Sequence, residues 1–454
     1  MKKTFIAAWL FLWAINAFAA TPLKTVIEIY TTVSQGAHSI EETAQIAQKE
    51  GINALVFTDR DILKWEYGLH PLQNILKKSL QQESILSFGP DKYLAEIDKA
   101  QKNHPQLLLI PGTESAPFYS WQGAPWAHHF GMYDWDKHLL AIGMDKKEDY
   151  QDLPVIGNTK ALRTKYNIYR MWPLAAIVVL LLFILLRCYS YTDTHGRPLC
   201  KPTHYHLILL FLSIIFAVNN YPFRDLSFDQ YNKKNERQAR QNYIDYVNRH
   251  NGLTFWAHPE ASNTGFYNGI YFNTQPHQDE LLFYHNYTGY CILYDGYELT
   301  GKPGGLWDDM LQDFCRGRRA TPVWAIGGSS IERNDYRAAF KDLHNGVFCK
   351  NNRQDFMRAL REGKMYIARG ANSLAFTLTE FSLENNTLKI KGKSSTGKNL
   401  TITLIKYGKI IDSYEIASDF SLEIPVVKSA GKSYYRIEIR GEGLHVITNP
   451  VFTK

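Results

Sequence analysis

The chain has 454 residues, 45% of them hydrophobic, with 28 tyrosines and a formal net charge of +7. That length and apolar content suit two folded domains, not a disordered or fibrous chain. The charge is modest for the length and no basic stripe is interleaved with stacking aromatics, which argues against a nucleic-acid partner.

Taken in chain order, Lys2 and Lys3 precede an apolar stretch from Phe5 to Ala17, and Ala17-Phe18-Ala19 puts small residues at the cleavage-critical positions. This predicts a bacterial secretory signal peptide over 1–19. Polar segments then follow strand-like runs. Residues 54–57 lead into Thr58-Asp59-Arg60-Asp61, and 107–110 into Pro111-Gly112-Thr113-Glu114. Residues 253–256 lead into Ala257-His258-Pro259, and 322–326 precede Ser329-Ser330-Ile331-Glu332. Charged residues at the carboxyl ends of successive strands are where α/β barrels place their chemistry.

Between these motifs, residues 171–186 carry no charge and 202–223 contain no Asp, Glu, Lys or Arg. Each run approaches the ~20 residues that span a bilayer. Tyr169, Trp172, Tyr189, Tyr191, Tyr205 and Tyr221 stand where an aromatic belt belongs. The expectation is a two-helix transmembrane hairpin over 170–223, inserted within one domain. Its loop would face the cytoplasm, with Arg187, Arg197 and Lys201 against Asp193. The main domains would then lie on the periplasmic side of a bacterial inner membrane.

After the hairpin, 228–248 reads as a helix bearing Lys233, Lys234, Arg237 and Arg240, a solvated basic face. Residues 265–286 carry Tyr267, Tyr271, Phe272, Phe283 and Tyr284, too aromatic for a solvated loop. Beyond Gly370, short runs alternate with period two between Asn-Asn, Gly-Lys and Ala-Gly turns, which predicts a small antiparallel β-sandwich over 371–454. Of the five cysteines, Cys188 and Cys200 fall on the hairpin's cytoplasmic side, and Cys291, Cys315 and Cys349 can form at most one bridge. No Walker loop, Gly-x-Gly-x-x-Gly or Gly-x-Ser-x-Gly elbow is present.

The order and spacing of the strand-end motifs resemble the PHP family (polymerase and histidinol phosphatase), over roughly 26–143 and 243–370. Family members open on a His-x-His strand end; Glu28 and Tyr30 stand at those positions, and Gln35 replaces the following aspartate. The family Thr-Asp-His has Arg60 for its histidine. The glutamate after Pro-Gly-x is kept as Glu114 and the histidine of Ala-His-Pro as His258. The closing Ser-Asp-x-His has become Ser329-Ser330-Ile331-Glu332. His138 stands in place for a further family histidine, with His128 and His129 as rivals. The resemblance implies a distorted PHP-like (β/α)7 barrel, its halves at 20–169 and 224–370 separated by the hairpin. It also implies a metal-dependent phosphoric ester hydrolase, with Glu114, His258 and Asp59 catalytic. The metal, Mn, Zn or Mg, would be held by Glu114, His258, His138, Glu28 and Glu332.

Hydrolysis of a phosphate ester at metal ions needs a filled ligand shell, and this shell has lost most of its histidines. Arg60 is a fixed cation where a metal ligand belongs, and its fork suits two parallel hydrogen bonds to a phosphate or carboxylate. Alternatively, Arg60 only neutralises Glu28, Glu114 or Glu332. The expectation is therefore a non-catalytic module that binds an anionic ligand or envelope protein at the old barrel mouth through Arg60, with the inner membrane as a further partner. The alternative is a metal-dependent phosphoesterase working with a reduced carboxylate and histidine site.

Overall fold

The computed structural model describes residues 21–126, 130–158, 161, 171–190, 194–196, 204–220, 228–267, 269–331, 335–427 and 431–453. The signal-peptide segment, His128, His129, Glu332 and most of the connection between the two apolar runs lie outside the described residues.

Two sheets face each other. In the larger, Leu108–Ile110, Ala54–Phe57 and Leu23–Ile29 run parallel. The sheet then continues antiparallel through Leu343–Val347 and Met365–Arg369. In the smaller, Trp324–Gly327, Gly289–Leu293 and Leu253–Trp256 run parallel, and Leu139–Ile142 and Gly112–Ser115 follow antiparallel. Both faces of these strands are covered, so they read as unbroken apolar runs such as Ala54-Leu55-Val56-Phe57. Ile27, Val56, Ile110, Leu140, Phe255 and Ile326 fill the space between the sheets, and Phe356 and Leu360 of the helix Arg353–Arg361 join that core. Helices Ile40–Lys49, Pro90–Asn103, Glu236–Arg249 and Leu306–Cys315 bury apolar stripes in the surrounding layer. The first starts at a capping box in which Ser39 and Glu42 satisfy each other's backbone amides.

The expected (β/α)7 barrel does not form. The strands Gly112–Ser115, Leu139–Ile142 and Leu343–Val347 run antiparallel to their neighbours, which breaks the repeated parallel stagger a closed barrel requires. Isolated single-residue bridges pair Ile29 with Ile331 and Arg60 with Glu114 at the strand ends, and the sheets stay open.

The transmembrane hairpin is also overturned. Helices Trp172–Ser190 and His204–Asn219 do form and pack together, with Trp172 and Phe216 rings 5.8 Å apart. No helix among the described residues is long and apolar enough to cross a membrane. The second has 16 residues, about 24 Å of helix against a hydrocarbon core of about 30 Å. The apolar run of the first is cut off at Arg187. The hairpin's end is tied to the protein: the Asn219 side chain accepts from the Asn74 amide at 2.9 Å and donates to the Pro71 carbonyl at 3.0 Å. The inner-membrane placement, which rested on this hairpin, falls with it.

The C-terminal strands form two antiparallel layers, and one of them continues the large sheet. Leu444–Thr448 pairs with Met365–Arg369, and Tyr434–Gly441, Leu400–Lys406 and Lys409–Ile416 extend the large sheet from there. A second layer of Phe376–Glu384, Thr387–Ser394 and Asp419–Pro425 covers that extension. Phe376, Leu378, Leu388 and Ile390 meet Ile402, Leu404, Ile437 and Ile439 in one core. Cys291, Cys315 and Cys349 are free thiols.

Candidate metal and anion site at the strand ends

Three residues at strand ends share an unusual backbone. Glu28, His258 and Ser330 have φ of 69°, 28° and 46°. Such left-handed conformations at non-glycine residues are costly and cluster where a site dictates the geometry.

Glu114, on the strand Gly112–Ser115, is fully buried. The Tyr30 hydroxyl donates to its Oε2. Its Oε1 faces three nitrogens: His138 Nδ1 at 2.8 Å, Arg60 Nη1 at 3.1 Å and His258 Nε2 at 3.5 Å. The two imidazoles meet at 3.2 Å, Nδ1 of His138 to Nε2 of His258. Arg60 Nη1 lies 2.9 Å from both ring nitrogens of His138, and its guanidinium sits over the Tyr30 ring, 5.2 Å from the centroid.

The charges follow from burial and proximity. Burial opposes ionisation of Glu114, but Arg60, and then His138, hold its carboxyl well below the usual range. Burial, with Arg60 beside it, lowers His138 to about 4, so its ring is neutral near pH 7. Burial also disfavours a charged His258, yet the neighbouring Glu114 carboxylate outweighs it and raises the pKa. Glu28 is pushed up to about 8 by burial and then by Glu114, so near neutral pH it keeps its proton.

Of the residues singled out from the sequence, Arg60, Glu114, His138 and His258 come together. Glu28 is buried behind them, with Cys291 Sγ 3.9 Å from its Oε2. Asp59 is turned elsewhere. Its oxygens accept from the Thr31 amide at 2.7 Å, the Thr31 hydroxyl at 2.8 Å and the Ser34 hydroxyl at 2.7 Å, which clamps the loop after the first strand.

The donor set fits one small divalent ion. Metal–ligand lengths of about 2.0–2.2 Å put neighbouring donors ~3.0–3.5 Å apart, and the three separations here are 2.8, 3.2 and 3.5 Å. Glu114 Oε1 is buried and makes no aligned hydrogen bond. An ionised carboxylate and a neutral His138 are the protonation states metal binding needs. Among the described residues no other group of three such donors assembles.

Two supports were not evident from the sequence. Tyr30 orients Glu114 from outside the donor set, as second-sphere groups do; its spacing of two from Glu28 was the available signal. Arg240, expected on a solvated face, is fully buried. It pairs with Glu236, and Lys137 binds Asp134 at 3.0 Å, Glu236 at 3.1 Å and also Glu280, anchoring the chain one residue before His138.

No protein-family model matches the chain, and no curated protein matches it. Among solved structures it is similar to a two-domain protein from Bacteroides vulgatus containing a predicted PHP-like metal-dependent phosphoesterase. The TM-score is 0.35 at 11% identity, over 92% of this chain and 90% of that one. It is similar to a proposed metal-dependent phosphoesterase from Bifidobacterium adolescentis, with TM-score 0.28 and 14% identity over 69% and 89% of the two chains. It is also similar to an amidohydrolase from Chromobacterium violaceum with bound sulfate and no metal, with TM-score 0.28 and 12% identity over 68% and 87%.

Proposed function

We propose that the chain is a metal-dependent phosphoester hydrolase of reduced PHP-like type, with one divalent ion, Mn, Zn or Mg, held by Glu114, His138 and His258. The observation that carries this reading is the convergence of three donor atoms within 3.5 Å of one another at the strand ends. A bound ion supplies Lewis-acid polarisation of the phosphoryl group and a water acidic enough to attack near neutral pH. Tyr30 keeps the Glu114 carboxylate turned so that Oε1 faces the site. Arg60 supplies N–H donors for the phosphate oxygens. Glu28 retains its proton and adds no competing charge. The test is metal content after loading with Mn²⁺ or Zn²⁺ and dialysis, together with turnover of p-nitrophenyl phosphate. About one ion per chain, lost with turnover in Glu114→Ala, is expected. No retained ion under any loading condition, with no turnover, refutes the hydrolase.

One observation favours a second reading. Arg60 Nη1 already lies among the donors, 2.9 Å from His138 and 3.1 Å from Glu114. A metal-free pocket that binds anions through Arg60 predicts phosphate binding in the presence of chelator, weakened in Arg60→Ala, at zero metal content.

A further inference from the structure

We propose that Arg60 is a built-in counter-cation that holds the ligands Glu114 and His138 when no metal is bound, and that loading displaces it toward the phosphate of the substrate. The proposal rests on the metal site proposed above. Glu114 is fully buried, and a carboxylate there with no cation beside it would be an uncompensated charge in the interior. Arg60 meets that need with the same nitrogen that contacts both Glu114 and His138. A guanidinium nitrogen and a divalent ion cannot both stand within about 3 Å of Glu114 Oε1, because like charges at that distance repel strongly even with generous screening. One must leave when the other arrives.

The surroundings allow that exchange. The Arg60 backbone is pinned by its bridge to Glu114, so only the side chain has to move. The guanidinium already lies over the Tyr30 ring, its carbon 5.2 Å from the centroid, a contact that does not depend on the ligands. The side chain is 11% exposed, so part of it is already open to solvent, from which an anion can reach it. The order of events follows: the ion binds first, Arg60 is released, and the released fork grips phosphate. Metal and phosphate then favour each other's binding by the same factor.

The test titrates Mn²⁺ into the metal-free full chain by calorimetry, with and without inorganic phosphate, for wild type, Arg60→Gln, Arg60→Lys and His258→Ala. Circular dichroism reports folding of each. Charge-assisted hydrogen bonds must be broken before wild type can accept the ion, so Arg60→Gln should bind Mn²⁺ roughly ten-fold tighter or more. Arg60→Lys, whose single ammonium cannot span both ligands, should lie between the two. Phosphate should tighten Mn²⁺ binding in wild type and not in Arg60→Gln. Equal or weaker Mn²⁺ binding in Arg60→Gln, with binding still abolished in His258→Ala, overturns the exchange and leaves the metal site standing. If Arg60→Gln does not fold, Arg60→Lys binding no tighter than wild type overturns it equally. Absence of Mn²⁺ binding in wild type and in every Arg60 variant overturns both.

Discussion

Glu438, on the strand Tyr434–Gly441, should make stability fall in acid through a window set by its own pKa. It is buried, with the Tyr297 hydroxyl donating to Oε2 at 2.8 Å and Arg440 Nη2 at 3.1 Å. His445 Nε2 stands 3.2 Å from Oε2, and Arg436 Nη1 3.4 Å from Oε1. Burial alone would raise its pKa, but the His445 hydrogen bond, the Arg436 charge and Tyr297 bring it down from 4.5 to about 2. At about 1.4 kcal/mol per pH unit, that depression corresponds to about 3 kcal/mol of stability. The sign is that of a lowered carboxylate: the contribution is fully present above pH 4.5 and is lost as pH falls through about 2. Somewhat under half of it, roughly 1.4 kcal/mol, remains at pH 3. Urea unfolding of wild type and Glu438→Gln at pH 6, 4 and 3 isolates this effect, because the variant cannot titrate there. Wild type should lose about 2 kcal/mol more than the variant between pH 6 and pH 3. Stability curves for the two that stay parallel across that range would refute the assignment.

Three further outcomes are expected. Asp308→Ala should cost about 3–5 kcal/mol in urea unfolding. It leaves Arg436 buried without the carboxylate that takes its Nε at 3.0 Å and its Nη2 at 2.7 Å; pairing the change with Arg436→Met should recover most of the loss, and failure to recover would implicate backbone damage instead. Gly328→Ala should destabilise by about 1–3 kcal/mol, because a Cβ there overlaps the Glu28 carboxyl and stands 2.9 Å from Cys291 Sγ; an unchanged urea midpoint would show that Glu28 has room to move. Tyr30→Phe should weaken Mn²⁺ binding roughly ten-fold with the far-ultraviolet spectrum unchanged, and calorimetry showing equal affinity would remove Tyr30 from the support of Glu114.

The strand-end positions were legible because each apolar run of four or so residues stops at a polar motif. Ala54–Phe57 before Arg60 and Leu253–Trp256 before His258 are both strands. Strand direction was not legible. Nothing in Leu139-Leu140-Ala141-Ile142 tells a parallel neighbour from an antiparallel one when both faces are buried, so the residues could not correct the barrel that the resemblance implies. The alternation beyond Gly370 revealed antiparallel strands but not their partner, since a strand's edge hydrogen bonds carry no side-chain signature. At the site, the resemblance placed Asp59 with Glu114, whereas Thr31 and Ser34 take its oxygens. The contact between Arg60 and His138, 78 positions apart, depends on two strand ends meeting and has no local trace. The apolar runs at 171–186 and 202–223 were visible, but the helix ends that limit their span were not.

The pairing of Leu444–Thr448 with Met365–Arg369 makes Leu400–Lys406, Lys409–Ile416, Tyr434–Gly441 and Leu444–Thr448 part of the same hydrogen-bonded sheet as the first strand. Tyr366 meets Thr448 and Ala368 meets Val446 in that register. A chain shortened at Gly370 would therefore not release a tidy independent unit. It would bare a row of amides and carbonyls along an apolar edge, an invitation to stack with other copies. Limited proteolysis near Gly370 should thus yield precipitate in place of a soluble fragment, and heating should melt both ends of the molecule in one transition.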